Sequence, residues 1–277
     1  MLIVDSQVHI WGADTPERPW PAVRNQPHRP VPFSREDLVR EMEGAEVHRA
    51  VIVPPSWEGD RNDLALEAAR LHPDRFAVMG RITIESPESR GLMAAWRHQP
   101  GMLGIRLIFR RPDLQRILSE GHADWLWAEA EQAGVPVMIL IDSHYTGLID
   151  RVAERHLGLK IVLDHLCIAG GAKNEEAFKD LDQVLAVARR PNIAVKATAL
   201  PRYSTESYPY RGIHPHLRRV YDAFGPKRVF WGTDLTSLSC TYSQAITMIT
   251  EEISWLTEED KSWIMGRGVC EWLDWKM

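Results

Sequence analysis

This sequence predicts an α/β chain closed into a parallel barrel of eight βα units, on three observations. Short β-branched apolar runs alternate with amphipathic stretches along the whole chain. Eight such runs can be marked out, the number at which a parallel sheet closes on itself. The length of 277 residues suits a barrel, which commonly takes ~250 residues as one unit, so a single domain spanning 1–277 is expected.

The predicted strands are Leu2–Val8, Ala50–Val53, Phe76–Ile82, Leu103–Ile108, Val135–Ile141, Lys160–Leu166, Ile193–Ala197 and Arg228–Gly232. The helices between them have readable starts and stops. Ser34 and Asp37 stand at capping-box spacing before Leu38, Val39 and Met42. Asp60 precedes a stripe of Leu64, Ala68 and Leu71 that Pro73 ends. Trp125, Ala128, Glu129 and Gln132 belong to a helix stopped by Gly134. Thr146 is placed to cap a helix bearing Leu148, Ile149, Val152 and Ala153, and Glu175–Arg190 carries Phe178, Leu181, Leu185 and Ala188 at helical spacing. A last helix from Glu258 to Trp275 is expected to dock on the barrel exterior through Trp263, Val269 and Trp272; such stripes are packing surface rather than a cofactor box.

Two connections exceed the few residues usual for βα loops. The first, Ile10 to Phe33, is rich in proline and carries Trp11 and Trp20; proline excludes a helix and suits a stiff wall or lid. The second, Leu200 to Gly212, carries Arg202, Tyr203, Tyr208, Tyr210 and Arg211. Both follow strands, which places both on the face where barrel enzymes keep their active sites.

A hydrophobic share of 44% and a charged share of 26% describe an ordinary globule with ample core. A formal charge of −5 and a pI near 6.1 leave no basic footprint for nucleic acid. Cys167, Cys240 and Cys270 are odd in number and widely spaced, which argues against a disulfide frame or a zinc knuckle and for a reducing compartment. The chain starts a strand at once, so no signal peptide is expected, and no stretch approaches the ~20 apolar residues that span a bilayer. The expectation is a cytoplasmic protein with a small-molecule partner and neither nucleic acid nor membrane. A homo-oligomer stays open, since the tryptophan-rich tail suits its own barrel or a neighbour's.

The chemistry-bearing residues stand at strand ends. Phe230-Trp231-Gly232-Thr233-Asp234 is an apolar strand that leaves the sheet through a turn and a lone carboxylate; Asp234 either faces the mouth or caps the next helix. Gln7 and His9, two apart on the first strand, point the same way. The amide of Gln7 is a poor ligand for zinc. A lone His9 is more often hydrogen-bonded structure than ligand. Leu163-Asp164-His165-Leu166 ends the sixth strand with His165 toward the mouth and Asp164 as support. Arg106 sits alone in an apolar fourth strand, and an unpartnered buried charge costs several kcal/mol, so it must reach a carboxylate. The protein's own carboxylate and a ligand's both qualify; the ligand's is preferred. Lys196 is ambiguous between the pocket and the outer face, the fifth strand ends Asp142-Ser143-His144 without an obvious ligand at its terminus, and Cys167 reads as an inert buried thiol.

The ordered set Asp5 to His9, Gly104-Ile105-Arg106, Leu163-Asp164-His165-Leu166, Val195-Lys196 and Phe224-Gly225-Pro226 through Trp231-Gly232-Thr233-Asp234 resembles the amidohydrolase-2 branch of the amidohydrolase superfamily. More narrowly it is similar to the TIM-barrel lactonases that include 2-pyrone-4,6-dicarboxylate hydrolase and L-fuconolactonase. The resemblance spans essentially the whole chain and implies a distorted (β/α)8 barrel. It departs at Gln7, where His-x-His is usual, at Asp142, where metal-using relatives have histidine, and at Leu235-Thr236 in place of Trp-Pro.

The expected function is a hydrolase that opens a small, anionic lactone by water attack. In that reading Asp234 is general base, His9 and His165 stabilise the oxyanion, and Arg106 clamps an anionic group. Gln7, Lys196, Arg202, Tyr203 and Tyr208 are expected to contact substrate. With two imidazoles missing, no cofactor is expected to be required; the alternative is one zinc or manganese ion on His9, His165 and Asp234. A metal-dependent decarboxylase or amidohydrolase of the same superfamily is the rival reading, and a non-catalytic binding barrel the second.

Overall fold

The computed structural model describes residues 1–276 and bears out the barrel. Its strands are β1 (Val4–Val8), β2 (Arg49–Ile52), β3 (Phe76–Gly80), β4 (Met102–Ile108), β5 (Val137–Leu140), β6 (Ile161–Leu163), β7 (Ile193–Thr198) and β8 (Val229–Gly232). They lie round the sheet in chain order, each parallel to the next. β8 returns beside β1, where Asp234 N–H donates to the Gln7 carbonyl at 2.9 Å.

Alternation along the strands divides the core into two layers. Val4, Val51, Ala77, Met79, Met138, Val162, Ala194 and Phe230 fill the barrel. The outward residues, such as Val8, Ile52, Val78, Ile105, Ile139 and Trp231, pack under the helices. The C-terminal tail differs from expectation. Its turns from Glu258 to Trp272 send Val269, Cys270 and Leu273 into the inner group beside Val4 and Phe230, so the tail plugs the barrel from below instead of lying on its exterior. Barrel strands leave an apolar floor open at the end away from the active site, and the tail covers it.

Local signals translate directly where they are complete. Ser34 and Asp37 form a reciprocal capping box at the start of the helix Arg35–Gly44. The 175–190 stretch divides instead into Asn174–Phe178, Leu181–Ala186 and a 3-10 turn. The proline-rich loop is anchored at its ends by a bridge between Trp11 and Phe33. β6 stops early, because Asp164–Cys167 coils into a turn in which His165, Leu166 and Cys167 take φ of 52°, 51° and 54°. Left-handed backbone at three consecutive non-glycine residues costs roughly 1–2 kcal/mol each, and strain of this kind collects where a site needs it. No helix among the described residues is long and apolar enough to cross a membrane.

Candidate active site

The site is built on the seam between β1 and β8. Asp5, fully buried, accepts from Thr233 N–H at 2.9 Å, the Thr233 hydroxyl, Tyr242 Oη at 2.8 Å and Gln7 N–H at 3.0 Å. Burial pushes its carboxyl up to about 6 against those donors. Only glycine fits at 232, since a Cβ there would lie 2.8 Å from both Asp5 Oδ1 and Ser6 Oγ. The seam turns the chain into a left-handed residue, Asp234, at φ 53°. Asp234 thereby enters the mouth with 4% of its surface exposed. Ser237 Oγ holds its Oδ2 at 2.8 Å.

Two polar side chains and a backbone carbonyl orient His9. Lys196 has only donors, so the Gln7 atom it meets is the carbonyl Oε1. That turns Gln7 Nε2–H toward His9 Nε2, 3.2 Å away. The other ring nitrogen, Nδ1, lies 2.5 Å from the Val53 carbonyl and donates to it. His9 Nε2 is therefore a lone pair, and it faces Asp234 Oδ1 at 3.1 Å. That oxygen is buried and receives no hydrogen bond among the described residues. His28 Nδ1 stands 3.9 Å from the same oxygen and 2.9 Å from Thr236 Oγ1. The Trp57 ring backs both imidazoles, at centroid distances of 5.8 Å and 4.9 Å.

Donor atoms of His9, His28 and Asp234 all lie within 4.8 Å of one another. Two imidazole nitrogens and a carboxylate oxygen are a zinc-type donor set, and the His9 Nδ1–H to carbonyl bond is the outer contact that metal-bound histidines use. A cation at this point also resolves a confrontation of lone pair and carboxylate that the protein leaves unbalanced. The residues present thus fit a divalent ion. Electrostatics agree. Burial would raise the Asp234 carboxyl, but the surrounding imidazoles, His9 foremost, hold it well below the usual carboxylate range. Burial brings His28 down to about 4 and His165 down to about 3, outweighing the pull of Asp234, so both rings are uncharged at neutral pH.

A second polar group lies deeper. Arg106 Nε donates to Asp164 Oδ2 at 3.0 Å, and Lys196 Nζ stands 2.7 Å from Asp164 Oδ1. Lys196 and Asp164 are both fully buried. Burial lowers the Lys196 ammonium pKa against the pull of Asp164; burial would raise Asp164, yet Lys196 and Arg106 bring it down to about 2. The preference for a ligand's carboxylate on Arg106 is thus corrected in part: the protein supplies one itself, through the residue read as support.

A cavity of about 800 Å³ opens over these groups, and His9, Arg106, His165, Arg202, Tyr203 and Asp234 line it. His165 is held by Thr198 Oγ1 at 2.7 Å from Nδ1, and Arg202 reaches within 3.8 Å of Asp234 Oδ2. Three expected substrate contacts are not in the lining. Gln7 and Lys196 are fully buried beneath it, because their strand positions point into the packed barrel, and Tyr208 bonds Thr247 Oγ1 at 2.9 Å. Cys167 is buried and its thiol is pushed well up by burial, as an inert thiol should be. Sequence reasoning missed His28, which sits in a loop without periodicity, and Arg81, which follows an apolar strand just as Arg106 interrupts one. A hollow of about 850 Å³ at the opposite end, around Met1, Ile3 and Met42, carries no comparable group.

The amidohydrolase family model matches residues 4–267. An L-fucono-1,5-lactonase of Burkholderia ambifaria is 27% identical, the match covering 83% of this chain and 79% of that protein. Among solved structures, an amidohydrolase of Burkholderia multivorans with bound zinc superposes with a TM-score of 0.81 at 20% identity, covering 99% of each chain. A probable 2-pyrone-4,6-dicarboxylic acid hydrolase of Acinetobacter baumannii, crystallised with citric acid, gives 0.75 at 16% identity over 99% of this chain and 100% of its own. The expectation that no cofactor is required is overturned: a neighbour of this fold binds zinc, and His9, His28 and Asp234 assemble a ligand group here. The imidazole that joins His9 in this group comes from a loop and not from the first strand. The third member of the group is His28, where the strand pattern suggested His165.

Proposed function

Because this chain belongs to the amidohydrolase family, we propose that it opens a small, anionic lactone by water attack, with one divalent ion held by His9, His28 and Asp234. The observation that carries this reading is the donor-free Oδ1 of buried Asp234 facing the lone pair of His9 at the cavity floor. The likeness to a lactonase, over most of both chains, supports the choice of lactone. When bound, the ion supplies Lewis-acid polarisation of the ester carbonyl and a more acidic water.

The two oxygens of Asp234 have separate surroundings. Oδ1 faces the imidazoles, whereas Oδ2 is steadied by Ser237 and lies near Arg202. Oδ2 takes a proton from the attacking water as the new C–O bond forms, and returns it to the ring oxygen as the ester C–O bond breaks, leaving a hydroxy acid. His165 is uncharged at neutral pH, and Thr198 Oγ1 lies 2.7 Å from its Nδ1; in the tautomer in which that hydroxyl donates, the ring proton stands on Nε2. That N–H is a fixed donor for the oxyanion. Gln7 and Lys196 act from below, keeping the His9 lone pair pointed at the site. Three free cysteines suit a reducing compartment, and the cytoplasm is the proposed location.

Asp234→Asn tests the assignment. On a panel of lactones the variant is expected to lose at least ~100-fold in kcat, the usual scale of a general base. Undiminished turnover would remove Asp234 from the mechanism.

A further inference from the structure

The ends of β4 and β5 carry two apolar side chains that neither core layer takes up. The β4–β5 register pairs Arg106 with Met138 and, one layer higher, Ile108 with Leu140. Met138 fills the barrel and Arg106 lines the cavity, so alternation aims Ile108 and Leu140 into that cavity above them, and both line it. Each is half-buried. Neither belongs to the barrel filling or to the layer under the helices, whereas Leu107 and Ile139, just before them on the opposite face, pack into the latter.

The wall extends to either side. Ile82 and Ile84, beyond the end of β3, and Leu114, in the helix Pro112–Ser119 after β4, line the cavity in the same sector. Polar neighbours beyond Arg106 are committed to the protein's own groups. The Thr83 hydroxyl donates to Asp60, Arg110 Nε stands 3.0 Å from Asp142 Oδ1, and Arg111 Nε donates to Asp113 Oδ1 at 3.1 Å.

Strand order puts β4 across the barrel from β8, and β5 across from β1. The wall therefore faces Asp234 and His9 over the mouth. The cavity of about 800 Å³ lies toward the upper end of the ~300–1,000 Å³ that takes drug-sized ligands, well beyond the needs of one six-membered ring. A lactone seated with its ester at Asp234 turns its far edge toward Ile108 and Leu140. A hydroxyl there loses water without gaining a partner, roughly 5- to 100-fold in affinity. A methylene there gains about fourfold. We propose that Ile108 and Leu140, flanked by Ile82, Ile84 and Leu114, form an apolar subsite, and that the substrate is a lactone with an alkyl or aryl group on the ring edge remote from the scissile ester, not a polyhydroxylated one. The substrate half of this inference rests on the lactonase reading; the subsite half does not.

The test uses zinc-loaded protein and two readouts. A benzohydroxamate is anchored by its zinc-binding head, so a para substituent points across the mouth. By calorimetry, 4-butylbenzohydroxamate binds the wild type at least ~10-fold more tightly than benzohydroxamate, and 4-ethylbenzohydroxamate more tightly than the 4-hydroxymethyl compound of equal size. Leu140→Asn abolishes most of the butyl gain, with Leu140→Ala, which stays apolar but recedes, in between. In turnover, the preference in kcat/KM for a δ-lactone bearing butyl opposite its ester over D-glucono-1,5-lactone falls at least ~10-fold in Leu140→Asn. If that variant does not fold, Ile108→Thr carries both readouts. A butyl gain that is missing from the wild type, or that survives both substitutions, overturns the subsite. A higher wild-type kcat/KM for D-glucono-1,5-lactone than for the butyl lactone overturns the substrate class. A butyl gain that depends on Leu140, in a protein that hydrolyses neither lactone, keeps the subsite and sinks the lactonase reading.

Discussion

Replacing Lys196 with methionine removes one of two cations from a carboxylate that has no access to water. Lys196 Nζ stands 2.7 Å from Asp164 Oδ1, and Arg106 Nε stands 3.0 Å from Oδ2. At an effective dielectric of about 20, each contact is worth roughly 5–6 kcal/mol of Coulomb energy, most of it offset by stripping water from the ions. Methionine restores the volume but returns no charge, so Asp164 keeps its full desolvation cost with half its compensation. The Gln7 carbonyl loses its ammonium donor as well. Breaking one arm of a buried ion group costs ~3–5 kcal/mol, and that is the expected loss. Urea unfolding followed by fluorescence reads it as a fall in midpoint at constant m-value. A second consequence reaches the active site. Without Lys196 the Gln7 amide is free to turn over, the lone pair of His9 is no longer enforced, and zinc affinity is expected to fall ~10-fold or more, as for other outer contacts of metal ligands. A stability loss below ~1 kcal/mol together with unchanged zinc affinity would refute both the energetics and the orienting role.

The acid limb of stability carries the signature of Asp164. Its folded-state pKa, about 2, lies below the ordinary 3.8, so its contribution is complete above pH ~4 and fades as pH falls toward 2. The difference of about 1.8 units at 1.36 kcal/mol each gives roughly 2 kcal/mol, and Asp164→Asn should lose that slope in urea titrations between pH 4 and pH 2. A variant with the wild-type slope would place the titration elsewhere. His28→Ala is expected to weaken zinc at least ~10-fold in equilibrium dialysis while leaving the far-ultraviolet spectrum unchanged, since a three-ligand site loses one donor; wild-type affinity would return the third position to another residue. Gly232→Ala forces a methyl into the Asp5 seam, where the nearest atoms stand 2.8 Å away, and should lower stability by ~1–3 kcal/mol in thermal unfolding. An unperturbed melting temperature would mean that the seam is looser than its contacts indicate.

Local chemistry made much of this molecule readable. Apolar runs separated by capped helices specify eight strands, because each element carries its own period and its own stop signals. The same logic located His9, His165, Arg106 and Asp234 around one mouth, since a strand end in a parallel barrel has only one place to point. The failures share a cause. Arg106 and Lys196 were ambiguous because a strand shows which residues share a face, but not which distant carboxylate meets them; Asp164 is 58 residues from one and 32 from the other.

His28 was invisible for a stronger reason. A loop without period carries no information about where its side chains go, and only the anchoring of Trp11 against Phe33 and of His28 against Thr236 brings that ring to Asp234. Gln7 shows the remaining difference. On its own the amide looks like a lost ligand; beneath the cavity, with its carbonyl taken by Lys196, it becomes the donor that orients one. Composition and periodicity therefore determined the barrel and the strand-borne half of the site. Packing decided the loop-borne imidazole of His28 and the buried charges that orient His9, because those depend on contacts between residues far apart in the chain.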